Sequence, residues 1–205
     1  MQTRPDSKTA FLDAGLREVR TRGYEATTVD DLCAATGLTK GSFFHHFKGK
    51  QEFMLAAAAH FAAMADGLFA QAPYRKLADA RERLLAYVDF RASLLHGELA
   101  EFTCLLGTLV QETYDSHPAI RKACERHLSA HVDELVRDIT MAKRQYAPRA
   151  KWTPQSLGEF IQASLQGAFV LAKAKHGPTV AVECLAHLKR YLQSLFPSPP
   201  REKGN

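Results

Sequence analysis

The stretch Thr28-Val29-Asp30-Asp31-Leu32-Cys33-Ala34-Ala35-Thr36-Gly37-Leu38-Thr39-Lys40-Gly41-Ser42-Phe43-Phe44-His45-His46-Phe47 reads as two short helices around one glycine. Thr28 is a hydroxyl cap with Asp31 three positions on, a near capping box, and Gly37 gives the backbone freedom that lets the helices cross. Thr39 caps the second helix, which runs to about Phe47. Two short helices joined this way form a helix-turn-helix pattern, in which the second helix is the candidate reader of a DNA major groove. Many helical bundles contain such a pair, so the surrounding residues decide its meaning.

Upstream, a helix from about Lys8 to Thr21 sets Phe11, Leu12, Ala14, Leu16 and Val19 at helical spacings, and Gly23 ends it. Downstream, Gly49-Lys50 opens an Ala-rich helix running to Pro73. The spacing predicts longer helices over 75–95, 98–113, 118–145, 154–176 and 178–195, three of them bounded by a proline at the first turn. No alternating β-branched run interrupts them, which predicts an all-α chain. The last two, joined only by Gly177-Pro178, form an expected antiparallel hairpin. Leu157, Phe160, Ile161, Leu165 and Ala168 on its first helix, with Val182, Leu185, Leu188 and Leu192 on its second, predict a surface for a partner chain, the candidate dimer interface.

The chain has 205 residues, 46% hydrophobic and 24% charged, which fits an ordinary folded protein and excludes collagen-like and mainly disordered classes. Its start lacks the apolar core of a signal peptide, and the most apolar stretch, Phe53 to Ala65, is broken by His60, so a cytoplasmic protein without a membrane partner is expected. Four cysteines far apart, with no C-x-x-C pair, predict free thiols. The net charge of +5 suits a polyanionic partner, yet residues 1–55 hold eight Lys/Arg against seven Asp/Glu, so individual cations must locate any DNA surface.

Gly23-Tyr24 before Thr27-Thr28, Ala34-Ala35-Thr36-Gly37, Thr39-Lys40-Gly41, Phe44-His45-His46-Phe47 and Lys50 together resemble the N-terminal DNA-binding domain of the TetR family of transcriptional regulators, across roughly the first 50 residues without a gap. The remainder resembles the family only in length, helical order and terminal hairpin. The resemblance implies a three-helix helix-turn-helix DNA-binding domain over residues 1–52 and a larger helical ligand-binding and homodimerisation domain over 53–196; the ending over 197–205, without a hydrophobic anchor, is an expected flexible tail. The resemblance also implies a repressor released from a palindromic operator in double-stranded DNA by a small molecule or a reactive electrophile, with no cofactor. A ligand acts in that scheme by favouring a spacing of the two reader helices other than the about 34–36 Å that successive half-sites require.

Thr28, Thr39 and Lys50 stand at helix N-termini suited to phosphate oxygens, which position a protein without reading bases. Gly41 permits close approach to the groove, while Lys40, Ser42, His45 and His46 are candidates for base edges or nearby phosphates. Phe43 and Phe47 are expected core anchors. The family commonly has Tyr where Phe44 stands; Phe44 cannot donate that hydrogen bond, so its contact would be apolar.

Candidate effector contacts are Phe90, Leu94, Phe102, Leu105, Leu109, Trp152 and Phe169, with Thr108, Glu112 and Gln166 as polar fixers. Cys104-Leu105-Leu106-Gly107 is similar to a segment of a TetR subgroup that includes electrophile sensors. A sensing thiol there needs a neighbouring cation such as Lys173 or Lys175; a small buried hydrophobe is the alternative. Cys124, His127 and His131 lie at i, i+3 and i+7, metal-ligand types on one helix face, against which stands a plain pocket-lining or solvated face, and no metal is assigned. Gly-x-Ser-x-Gly, His-Glu-x-x-His and a P-loop are absent, so no enzyme is expected. A helical adaptor without DNA binding is the alternative function; it explains the apolar hairpin but not the N-terminal run.

Overall fold

The computed structural model describes residues 6–197; the expected tail beyond 197 lies outside them. Among these residues the chain forms helices and no strand: α1 (Ser7–Arg22), α2 (Val29–Thr36), α3 (Lys40–His46), α4 (Lys50–Ala70), α5 (Ala80–Ser93), α6 (Leu99–Phe102), α7 (Leu105–Thr113), α8 (Pro118–Tyr146), α9 (Pro154–Ala174) and α10 (Thr179–Leu195). By packing, the chain divides into one unit of residues up to Ala70 with Gly97–Ser129, and another of Gln71–His96 with Ala130 onward. The sequence reading instead draws a boundary at 52 and 53.

The first unit is built on a cluster of aromatic side chains. Phe43, wholly buried, has ring centroids 5.4 Å from Phe11, 5.3 Å from Phe47 and 5.5 Å from Phe53. Leu105, Leu109, Ile120 and Cys124 complete the same core. α1 begins where Asp6 accepts from Thr9 N at 2.8 Å and ends at Gly23, whose φ of +90° disfavours any other residue. α4 is longer than the apolar stretch read from the sequence: at 21 residues and mean hydropathy 1.5 it is long and apolar enough to cross a membrane. Its apolarity has a use inside this unit, where Phe53, Met54, Ala57, Ala58 and Ala62 are core.

Two helix limits differ from the sequence reading, each through a cap. The helix expected over 98–113 breaks at Thr103-Cys104, where the Thr103 hydroxyl donates to Leu99 O at 2.6 Å and the Cys104 sulfur caps Gly107 N at 3.5 Å. The helix expected from Arg75 starts at Ala80, because Asp79 accepts from Glu82 N at 2.9 Å, and Pro73–Lys76 forms a separate 3-10 turn.

In the second unit α10 packs against both α5 and α9. Arg83 holds this unit from within, donating to Asp138 Oδ1 at 2.8 Å and to the carbonyls of Leu77 and Ala78, both at 2.8 Å. Gly158 lets α9 approach α8 closely; a Cβ there would lie 3.1 Å from both Val132 and Val136.

Candidate nucleic-acid interface

α3 is held by one face and free on the rest. Thr39 caps it, accepting from Ser42 N at 3.1 Å, and Phe43 fixes it to the core. Thr39, Lys40, Gly41, Phe44 and His45 are exposed, Ser42 half-buried. A Cβ on Gly41 would meet only Thr39 Oγ1, at 3.7 Å, so this unit itself does not require a glycine there. Phe44 keeps 54% of its surface exposed, its ring edge-on to Phe43, which presents carbon to whatever binds. Lys40 is exposed and pairs with Asp30 at 2.7 Å; that hydrogen bond and charge hold its pKa above the usual lysine value. His46 differs from His45: its Nε2 is 2.7 Å from Ser7 Oγ, which ties α3 to α1 and removes His46 from the outward set.

At the start of α2 the capping box is complete, with Asp31 N donating to Thr28 Oγ1 at 3.2 Å and Thr28 N to Asp31 Oδ2 at 2.9 Å. Hydrogen bonds from the Thr28 hydroxyl, then its backbone, then Arg22 hold the Asp31 pKa at about 2. The Thr28 hydroxyl proton is therefore committed to Asp31, and the cation at this helix start is Arg22, 2.9 Å from Asp31. Arg22 escapes a sequence reading because it stands in the last turn of α1, nine residues before its partner. Lys50 lies over the Tyr24 ring, 4.2 Å from its centroid, and donates to Glu25 O at 3.2 Å. Tyr24 in turn meets His117 through its hydroxyl at 3.1 Å, and Glu112 accepts from Glu25 N at 3.2 Å. The polar fixer expected in Glu112 is thus spent on the turn that leads into α2.

The other effector candidates divide between the two units. Leu105 and Leu109 are fully buried against the aromatic cluster, and Thr108 donates to Cys104 O at 3.1 Å. Phe102 and Cys104 are half-buried. Arg20 lies at the turn that leads into Cys104, its guanidinium donating to Glu101 O and Thr103 O, both at 3.2 Å. Cys124 is buried among apolar side chains, which pushes its thiol up to about 12. No group of three metal-ligating side chains occurs among the described residues.

In the second unit Trp152 packs on Phe196 at 5.5 Å, while Leu94 and Gln166 are half-buried. Phe90 and Phe169 border a polar cluster: Phe90 is 5.7 Å from Tyr74, and Phe169 lies under Arg91 at 5.6 Å. The Tyr87 hydroxyl is 2.9 Å from His131 Nε2. Burial first, then the charges of Arg91 and Arg75, lower His131 to about 4, and burial raises Tyr87 to about 12. Of the residues expected at the dimer interface, Leu157, Ile161, Leu165, Ala168, Leu185, Leu188 and Leu192 are buried within this chain alone. Phe160 and Val182 are exposed, joined by Val170, Leu171 and Tyr191.

Residues 11–57 match the profile of bacterial regulatory proteins of the tetR family, and residues 80–188 that of the tetracyclin repressor-like C-terminal domain. The transcriptional regulator AcuR of Cereibacter sphaeroides is 28% identical over 85% of this chain and 81% of its own. The HTH-type transcriptional repressor DhaR of Mycobacterium sp. strain GP1 is 25% identical over 80% of each chain. In fold, the crystal structure of reduced Escherichia coli NemR superposes with a TM-score of 0.76 at 21% identity, covering 96% of this chain and all of that one.

Proposed function

This chain belongs to the TetR family of bacterial regulatory proteins, and from that premise we propose that it is a homodimeric, cytoplasmic repressor that leaves a palindromic operator when a small molecule binds. It is a DNA-binding transcriptional regulator and not an enzyme, and nothing favours the adaptor. The observation that carries the proposal is α3: a seven-residue helix anchored by Phe43 that turns Thr39, Lys40, Gly41, Phe44 and His45 to solvent. Lys40 and Ser42 address base edges, Phe44 offers carbon to a thymine methyl or a sugar, and Arg22, Thr39 and Lys50 take phosphates.

The exposed side of the α9–α10 hairpin supports the dimer. Phe160, Gly167 and Leu171 recur at intervals of seven and four along α9, one stripe of a helix, and nothing lies within 4 Å of a Cβ built on Gly167. A second copy can approach closely there. Selection of bound fragments from randomised duplex DNA tests the whole reading. A palindrome with half-sites about one helical turn apart is expected; enrichment of no sequence by ligand-free protein refutes it.

A further inference from the structure

The first turn of α2 carries two acids, and they are spent differently. Asp31 closes the capping box with Thr28 and accepts from Arg22 at 2.9 Å. Asp30, one position earlier, stands outside that box; its Oδ1 lies 2.7 Å from Nζ of Lys40, the first residue of the reader helix. The two side chains keep 71% and 60% of their surface exposed, so the pair adds little to the stability of the fold. A carboxylate beside a helix that meets a polyanion repels its phosphates. Its place there is favourable where the same oxygen meets a donor on the DNA, and the major-groove donors are cytosine N4 and adenine N6.

Lys40 Nζ and Asp30 Oδ1 present a donor and an acceptor 2.7 Å apart. Guanine O6 and cytosine N4 are an acceptor and a donor that are themselves hydrogen-bonded, about 2.9 Å apart, so the two side chains match the base pair edge to edge. An A·T pair also offers a donor and an acceptor, adenine N6 and thymine O4. It sets the thymine methyl beside the oxygen that would face the ammonium, whereas G·C sets a second acceptor, guanine N7, on that side. We propose that Asp30 is a base-reading residue, and that Asp30 and Lys40 together read one G·C pair in each half-site. Lys40 donates to guanine O6 and N7, and Asp30 accepts from cytosine N4. On other sequences the ion pair stays closed and gives phosphates no net attraction. The proposal rests on the reading that Lys40 addresses base edges, and it names the base pair addressed and the second residue that sees it.

The test selects bound fragments from randomised duplex DNA with the full-length parent, Asp30→Ala and Lys40→Ala proteins. The operator selected by the parent is then titrated against all three with one base pair replaced at a time. In the parent one G·C pair per half-site is invariant, and its replacement by A·T weakens binding by about ten- to a hundred-fold. Asp30→Ala and Lys40→Ala each shrink that penalty to a few-fold at the same base pair and at no other. Asp30→Ala also binds random duplex more tightly with a steeper salt slope, because Lys40 is then free for a phosphate. Melting of each variant near the parent temperature shows that the change is not one of folding. A change in affinity from Asp30→Ala that is equal across all base replacements overturns the proposal and leaves Asp30 a surface ion-pair partner. If Lys40→Ala relaxes one base pair and Asp30→Ala relaxes none or a different one, the joint reading falls and that of Lys40 stands. If neither variant relaxes any position, both readings fall, and if the parent enriches no sequence, the operator falls with them.

Discussion

The reader helix and the Tyr87–His131 cluster spend polar side chains in opposite ways. α3 buries one residue, Phe43, and leaves Lys40, Gly41, Phe44 and His45 exposed, with Lys40 paired to an exposed Asp30. The cluster sinks two phenols into the second unit, with a half-buried imidazole against Tyr87, and leaves two guanidiniums partly exposed around them. Polar side chains left at a surface keep their hydration, whereas those sunk into a core must find their partners there. The first therefore costs the fold little, and the second costs it stability.

Removing the anchor breaks the comparison most severely. Phe43→Ala empties the centre of four packed rings and costs about 3–5 kcal/mol, read by urea denaturation, with loss of operator binding at temperatures where the parent binds. The cluster shows its cost in acid. His131 has a folded pKa of about 4 against an ordinary 6.5, so the unfolded chain takes up the proton first and stability falls as pH drops from 6.5 toward 4. The slope reaches about 1.4 kcal/mol per pH unit, with no contribution above that window, and His131→Gln flattens it in denaturation series across those pH values.

At the interface, Lys40→Ala removes about 1–3 kcal/mol of discrimination between operator and altered operators. Lys50→Ala instead weakens all duplexes alike and lowers the salt slope by about one. Anisotropy titrations at several salt concentrations separate the two, and uniform loss from Lys40→Ala removes its base-reading role. Thr28→Ala is the smallest change, about 1 kcal/mol of stability for one lost cap, measured by thermal melting.

How far each region is legible in the sequence follows from the separation of its partners. Thr28 with Asp31, Thr39 with Ser42 and Gly37 with its turn act within three residues, so residue type and spacing disclose them. Tyr24 with His117, Glu112 with Glu25 and Tyr87 with His131 join positions 44 to 93 apart, and no local pattern marks them. Periodicity found the apolar faces of the hairpin but not their use, because a leucine turned into the core and one turned to solvent share the same spacing. Fold decides there: Leu165 and Leu188 are core, while Phe160 and Leu171 are surface.

Gly41 separates what is good for the chain from what is good for its task. It stands inside a helix where a Cβ would make only an ordinary contact with Thr39 Oγ1, at 3.7 Å, and alanine there is expected to stabilise α3 by up to about 1 kcal/mol. A library of variants scored for cellular abundance would rank Gly41→Ala neutral or improved, and the same library scored for repression would rank it damaged. Disagreement between those two scores would trace the outline of the DNA footprint without a complex ever being seen.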